Sequence, residues 1–286
     1  MKKYSIILAA ALLAVSIASC NQKEDKNVGF TEPTMKESAT KFTVSKTASS
    51  VYKGFEATED GLYIIPTDKG IKTGTYKHTK KEASDLYECE GFGKVEIIDL
   101  SRATGFEIVF TPTGQEPVKI SATPVETPSA TGATAQTINK IVNTWKVKQT
   151  IVTVTGEGLP EALAAAHTEP GFNLPAWKNY IAEVGKYTID YDFTGYVVKD
   201  VTLTEAGTLL IRFEGADPFV AEWELASNGT FSYELAYEQE GNPLINATAT
   251  GKVTTDEAKG TCDITIDVTV DSKQNYKGKV IIKLGK

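Results

Sequence analysis

Thr261-Cys262-Asp263-Ile264-Thr265-Ile266-Asp267-Val268-Thr269-Val270-Asp271 decides the fold. Cys262, Ile264, Ile266, Val268 and Val270 fall on one side of this segment, and Asp263, Asp267 and Asp271 on the other. Side chains alternate across a strand, so a period of two gives one apolar face and one wet face. The segments before it repeat the pattern. Trp223 and Leu225 alternate with Glu222 and Glu224, and beyond Ser227-Asn228-Gly229 the residues Phe231, Tyr233, Leu235 and Tyr237 share a face. In a three-residue loop Gly229 takes the left-handed position, which sets Trp223 opposite Tyr233. In the last hairpin Asp267 is expected to face Lys279 and Asp263 to face Lys283, with Ile266 opposite Val280 and Ile264 opposite Ile282. Each exposed ion pair contributes at most about 1 kcal/mol, so the apolar face sets that register.

Working outward, strands are expected near residues 145–155, 198–204, 207–213, 219–226, 230–238, 245–253, 260–271 and 276–285. Eight sequential hairpin partners suit an up-and-down barrel. Ahead of the first strand, Ile138, Ile141, Val142 and Trp145 recur at helical spacing and predict a turn or two of helix. Two helices are expected between the first and second strands. One runs from Pro160 through the alanines to His167. The other starts at Pro175, carries the stripe Trp177, Tyr180, Ile181 and Val184, and ends at Gly185. This insertion reads either as a lid over a barrel mouth or as a plug that stabilises the barrel.

Residues 123–136, with Pro124, Pro128, Gly132 and many Thr, Ser and Ala, read as a linker. Before them, Leu62-Tyr63-Ile64-Ile65, Val95-Glu96-Ile97-Ile98 and Phe106-Glu107-Ile108-Val109-Phe110 are apolar stretches. Turns at Glu59-Asp60-Gly61 and Thr111-Pro112-Thr113-Gly114 separate them, which predicts a small antiparallel β domain over 41–122. The expected fold is thus all-β: a small N-terminal domain, then an eight-stranded barrel over 137–286 with a short helical insertion.

The C-terminal half resembles the lipocalin-like proteins. The resemblance rests on Asn143-Thr144-Trp145-Lys146-Val147, Thr204-Glu205-Ala206-Gly207-Thr208, Trp223-Glu224-Leu225 and Asn228-Gly229-Thr230-Phe231. It implies a barrel with one closed and one open end, Trp145 lying near the closed one. It implies no particular ligand, since fold alone does not fix function.

The first residues concern location. Lys2 and Lys3 precede an apolar run from Ile6 to Ile17, then the small residues Ala18 and Ser19, the layout of an export signal. Ile17-Ala18-Ser19-Cys20 resembles the lipobox of bacterial lipoproteins. That resemblance implies removal of residues 1–19 and acylation of Cys20, with palmitate among the chains. Residues 20–40 then serve as anchor and tether. Asn21-Gln22-Lys23-Glu24-Asp25-Lys26 resembles the charged tag of lipoproteins displayed on the surface of the outer membrane, and reads equally as a solvated linker. Several buried acyl chains make such attachment effectively permanent.

Removing residues 1–19 takes away two lysines and no acid, which moves the net charge from −7 to −9. Such a surface repels phosphate backbones and excludes nucleic acid as a partner. Only Arg102 and Arg212 could offer the planar fork that captures carboxylate or phosphate. Cys89 and Cys262 fall in different domains and are expected to stay unpaired.

No catalytic, metal or cofactor motif emerges. His78, in Lys77-His78-Thr79-Lys80-Lys81, reads as part of a solvated loop, and neither it nor His167 has metal-type spacing. Asp190-x-Asp192-x-Thr194-Gly195 copies half a calcium loop, but Val201 stands where a bidentate Glu is needed, so it reads as a turn or a strand end. Gly91-Phe92-Gly93-Lys94 lacks the spacing and following helix of a phosphate loop and reads as a bulge or a tight packing site. Three functional readings follow. The leading one is a non-enzymatic, lipid-anchored binding module for a small apolar or sugar-like ligand, lined by Trp223, Phe231, Tyr233 and Trp177. The second is a structural or accessory subunit that docks onto another envelope protein. The third is a hydrolase, which would need a convergent acid pair or Ser-His contact.

Overall fold

A computed structural model of the chain describes residues 40–44, 50–100, 105–125, 132–155, 161–185, 192–235, 249–256, 258–269 and 277–286. Residues 1–39, which include the segments read as an export signal and a charged tether and Cys20, lie outside the described residues, as do Arg102 and Asp190. The protein is all-β, with two closed antiparallel barrels of eight strands each, and it divides into two compact units.

The N-terminal barrel has β1 (Thr40–Val44), β2 (Gly54–Ala57), β3 (Leu62–Thr67), β4 (Gly70–Lys80), β5 (Ser84–Cys89), β6 (Gly93–Asp99), β7 (Phe106–Pro112) and β8 (Val118–Pro124). They pair in sequence order, and β8 closes on β1 through Phe42↔Pro124, Thr43↔Thr123 and Val44↔Ala122. The expected small β domain is therefore a complete barrel. Alternation fills its interior: Val95 and Ile97 of β6, Ile108 and Phe110 of β7, and Tyr63 and Ile65 of β3 meet Phe55, Tyr87 and Phe92. Glu90-Gly91-Phe92 is the β5–β6 turn, and Gly93 opens β6. A Cβ at Gly93 would lie 2.3 Å from the Thr111 carbonyl oxygen, so the glycine permits a close backbone approach while Phe92 enters the core. His78 is in β4 rather than a loop. Its register partner is Tyr87, on which its ring stacks, and 18% of its side chain is exposed.

The C-terminal barrel begins with helix α1 (Gly132–Ile141) and β9 (Asn143–Thr155). The 123–136 link is thus narrower than its composition suggests, because β8 includes Thr123 and Pro124 and α1 starts at Gly132. After β9 come α2 (Glu161–Ala164), β10 (His167–Pro170) and α3 (Leu174–Gly185). Then follow β11 (Val198–Leu203), β12 (Thr208–Phe213), β13 (Phe219–Leu225), β14 (Thr230–Leu235), β15 (Ala249–Asp256), β16 (Thr261–Thr269) and β17 (Lys277–Gly285). Strands β9 and β11–β17 close the barrel through a long β17–β9 pairing. On its other side β9 meets β11 at residues 143–145 and the extra strand β10 at 149–152.

The last hairpin has the expected register: Asp267↔Lys279, Asp263↔Lys283, Ile266↔Val280 and Ile264↔Ile282. Trp223 pairs with Tyr233, and Gly229 is left-handed at φ 78°. The first insertion helix departs from expectation. It is one turn, Glu161–Ala164, and His167-Thr168-Glu169-Pro170 forms β10 instead. Pairing with Gln149–Val152 of β9 overrides the helix preference of the alanines. The strand expected at 245–253 appears as β15 at 249–256; residues 236–248 lie outside the described set.

Candidate binding cavity

The inward faces of β11–β17 converge on one apolar interior. It holds a cavity of about 30 Å³, roughly the space of two water-sized bodies. Val201, Ile211, Phe219, Ile266 and Ile282 are among its walls, all placed there by strand alternation. Two of the expected site residues, Phe231 and Tyr233, also line it.

The other two do not border it. Trp223 is buried, stacks on Phe231 at 5.9 Å between ring centroids, and donates its indole N–H to the Thr208 carbonyl at 3.1 Å. Its polar handle is thereby tied to β12, and the ring fills volume. Trp177 is buried in the same core, against His167 and Tyr180. Phe172, a cavity wall in the loop between β10 and α3, had no signal in the sequence. Gly171 turns the chain at φ 67°, and the Phe172 carbonyl accepts a hydrogen bond from the Val198 N–H, which fixes the aromatic ring over the barrel interior.

Burial pushes the Tyr233 phenol up, so that residue presents a neutral hydroxyl. The Cys262 thiol is pushed up to about 12 for the same reason, and burial raises Cys89 further. Both cysteines are free and buried, one in each barrel, and neither has the thiolate character a nucleophile needs. Trp145 donates its indole N–H to the Ile141 carbonyl at 2.8 Å, which seats the ring under the end of α1, away from the cavity walls.

A cluster of three charged side chains sits in this barrel outside the cavity walls. Asp200, 1% exposed, accepts two hydrogen bonds from Arg212, at 2.6 Å from Nε and 2.7 Å from Nη2. Lys146 reaches the same carboxylate at 3.4 Å. The planar fork of Arg212 is therefore occupied by a protein carboxylate, which leaves it unsuited to capture an anionic ligand. Hydrogen bonds from the Thr194 hydroxyl and from its N–H, the latter at 2.9 Å, hold the Asp192 carboxyl below the usual range and shape a turn. Among the described residues no group of three or more His, Cys, Asp or Glu could hold a metal ion.

The chain matches no protein-family model and no curated protein. Among solved structures it is similar to a Nostoc punctiforme protein of unknown function from the DUF3598 family, at 9% identity and a TM-score of 0.22, with 86% of this chain and 94% of that one covered.

Proposed function

We propose that this chain is a non-enzymatic, lipid-anchored envelope protein, in which the C-terminal barrel is a solid body for docking onto another envelope component. The observation that supports this reading is the filled interior. A cavity of about 30 Å³ is far below the roughly 300–1,000 Å³ of sites that enclose a drug-sized ligand. Large aromatics occupy the space an acyl chain or sugar would need. The lipocalin-like reading of this barrel draws on its consecutive strand order and on Trp145 beside the end of α1.

Titration of the full chain with fatty acids, haem-like compounds and oligosaccharides, followed by tryptophan emission, tests the proposal. No saturable change is expected. A saturable one-to-one response would overturn it and favour the second reading, an apolar-ligand carrier. The wholly apolar and aromatic wall of the cavity is the observation that keeps that second reading in view.

The anchor is tested separately. Cys20→Ala should convert a detergent-partitioning protein into an exported species that is uncleaved or soluble, because the thiol that receives the lipid is gone. Unchanged partitioning of the variant would refute the anchor.

A further inference from the structure

Twelve described residues line the cavity of the C-terminal barrel, and Tyr233 alone among them carries a polar side-chain atom. Val201, Ile211 and Phe219 are register partners along β11, β12 and β13. Ile264 and Ile282 are partners on β16 and β17, across the ring of strands. We propose that this cavity is a dry binding site for a single apolar guest of roughly one or two heavy atoms, a noble-gas atom or a diatomic gas such as dioxygen. The site goes beyond the docking role and rests on the same reading of the interior, as too small for an acyl chain or a sugar.

Water gains little in this space. A buried water makes about three hydrogen bonds, and the Tyr233 hydroxyl is the one side-chain group of the lining that could supply any. The walls do not close the gap either. Each wall strand is paired on both sides in the closed ring, and the β-branched Val201, Ile211, Ile264 and Ile282 are stiff at χ1. Wall atoms that border a void lack dispersion partners on one side. A polarisable, uncharged guest restores those contacts and gives up no hydrogen bonds on leaving water. Apolar cavities stay dry and take up xenon where the guest fits. At about 30 Å³ the space suits such an atom and is too small for a benzene ring.

Methyl NMR of the full chain under increasing xenon pressure tests the site. The Ile211, Ile264, Ile266 and Ile282 signals should shift and saturate together. Those of Ile97 and Ile108, in the core of the N-terminal barrel, should stay fixed. Val201→Ile adds one methyl to the wall and should weaken the response at least about threefold. Ile211→Phe is a larger filler and should abolish the response at the other three isoleucines, which serves if the first added methyl turns away. Dissolved dioxygen, being paramagnetic, should broaden the same signals. No saturating shift, an equal shift at Ile97, or a response untouched by both fillers would overturn the proposal and leave the docking role standing. Displacement of xenon by a fatty acid would overturn the reading of a filled interior on which both rest.

Discussion

Asp200→Ala is expected to destabilise the C-terminal barrel by about 3–5 kcal/mol, the cost of leaving a charge without its buried partner. The wild-type carboxylate is almost fully enclosed and receives both arms of the Arg212 fork. Removing it leaves a guanidinium that is only 21% exposed without its acceptor. Lys146 is 54% exposed and contributes far less, because solvent screens it. Chemical denaturation should therefore rank Asp200→Ala well below Lys146→Ala in midpoint, with an unchanged slope for each. Equal effects of the two substitutions would show that the bidentate contact does not hold the β11–β12 pair together. Replacing Asp200 and Arg212 together by apolar residues should recover much of the loss, since a matched buried pair adds little net stability over good packing.

Phe231→Ala is the second large effect, at about 3–5 kcal/mol. Phe231 is 1% exposed, lines the cavity, and carries the stack with Trp223. Deleting the ring removes the transfer free energy of an aromatic side chain and leaves a hole that rigid strands on either side cannot close. The enlarged hole is lined by apolar walls, so it should stay dry and accept a small apolar guest such as benzene. The variant should therefore regain stability in the presence of benzene, by an amount set by the guest's affinity and concentration. Wild type should not respond. A loss below about 1 kcal/mol, or an equal benzene response in wild type, would mean that the interior was open from the start.

The parts of the fold read from the sequence and the parts missed divide by the range of the interactions that set them. The register of β16 against β17 follows from two local alternations, Ile264 and Ile266 against Val280 and Ile282, and a one-residue slip would expose both. The Gly229 turn is equally local. Closure of the N-terminal barrel depends on three pairs between β1 and β8, strands at opposite ends of the unit, and nothing in either segment marks the other as its partner. His167 shows the same limit. The alanines before it favour a helix, and only the distant Gln149–Val152 segment of β9 draws it into a strand.

The candidate site was legible to the same extent. Phe231 and Tyr233 reach the interior by alternation along β14, a periodicity visible in the sequence. Trp223 shares that face, yet its ring is spent on Phe231 and its N–H on Thr208, choices made by neighbours in space. The Asp200–Arg212 pair depends on cross-strand register and on an irregularity between Val198 and Asp200, neither of which leaves a signature in composition. Whether aromatic side chains line a pocket or fill it is a question of volume. Alternation assigns a side chain to a face but says nothing of the space left between opposite walls.

Native mass spectrometry of the full chain, purified from the cell envelope in mild detergent, tests the central claim most directly. The predicted result is a single species with the mass of residues 20–286 plus covalent lipid on Cys20, with no small molecule retained inside the barrel. A species that keeps a stoichiometric apolar ligand after the detergent is stripped, or that carries no lipid, would contradict the account.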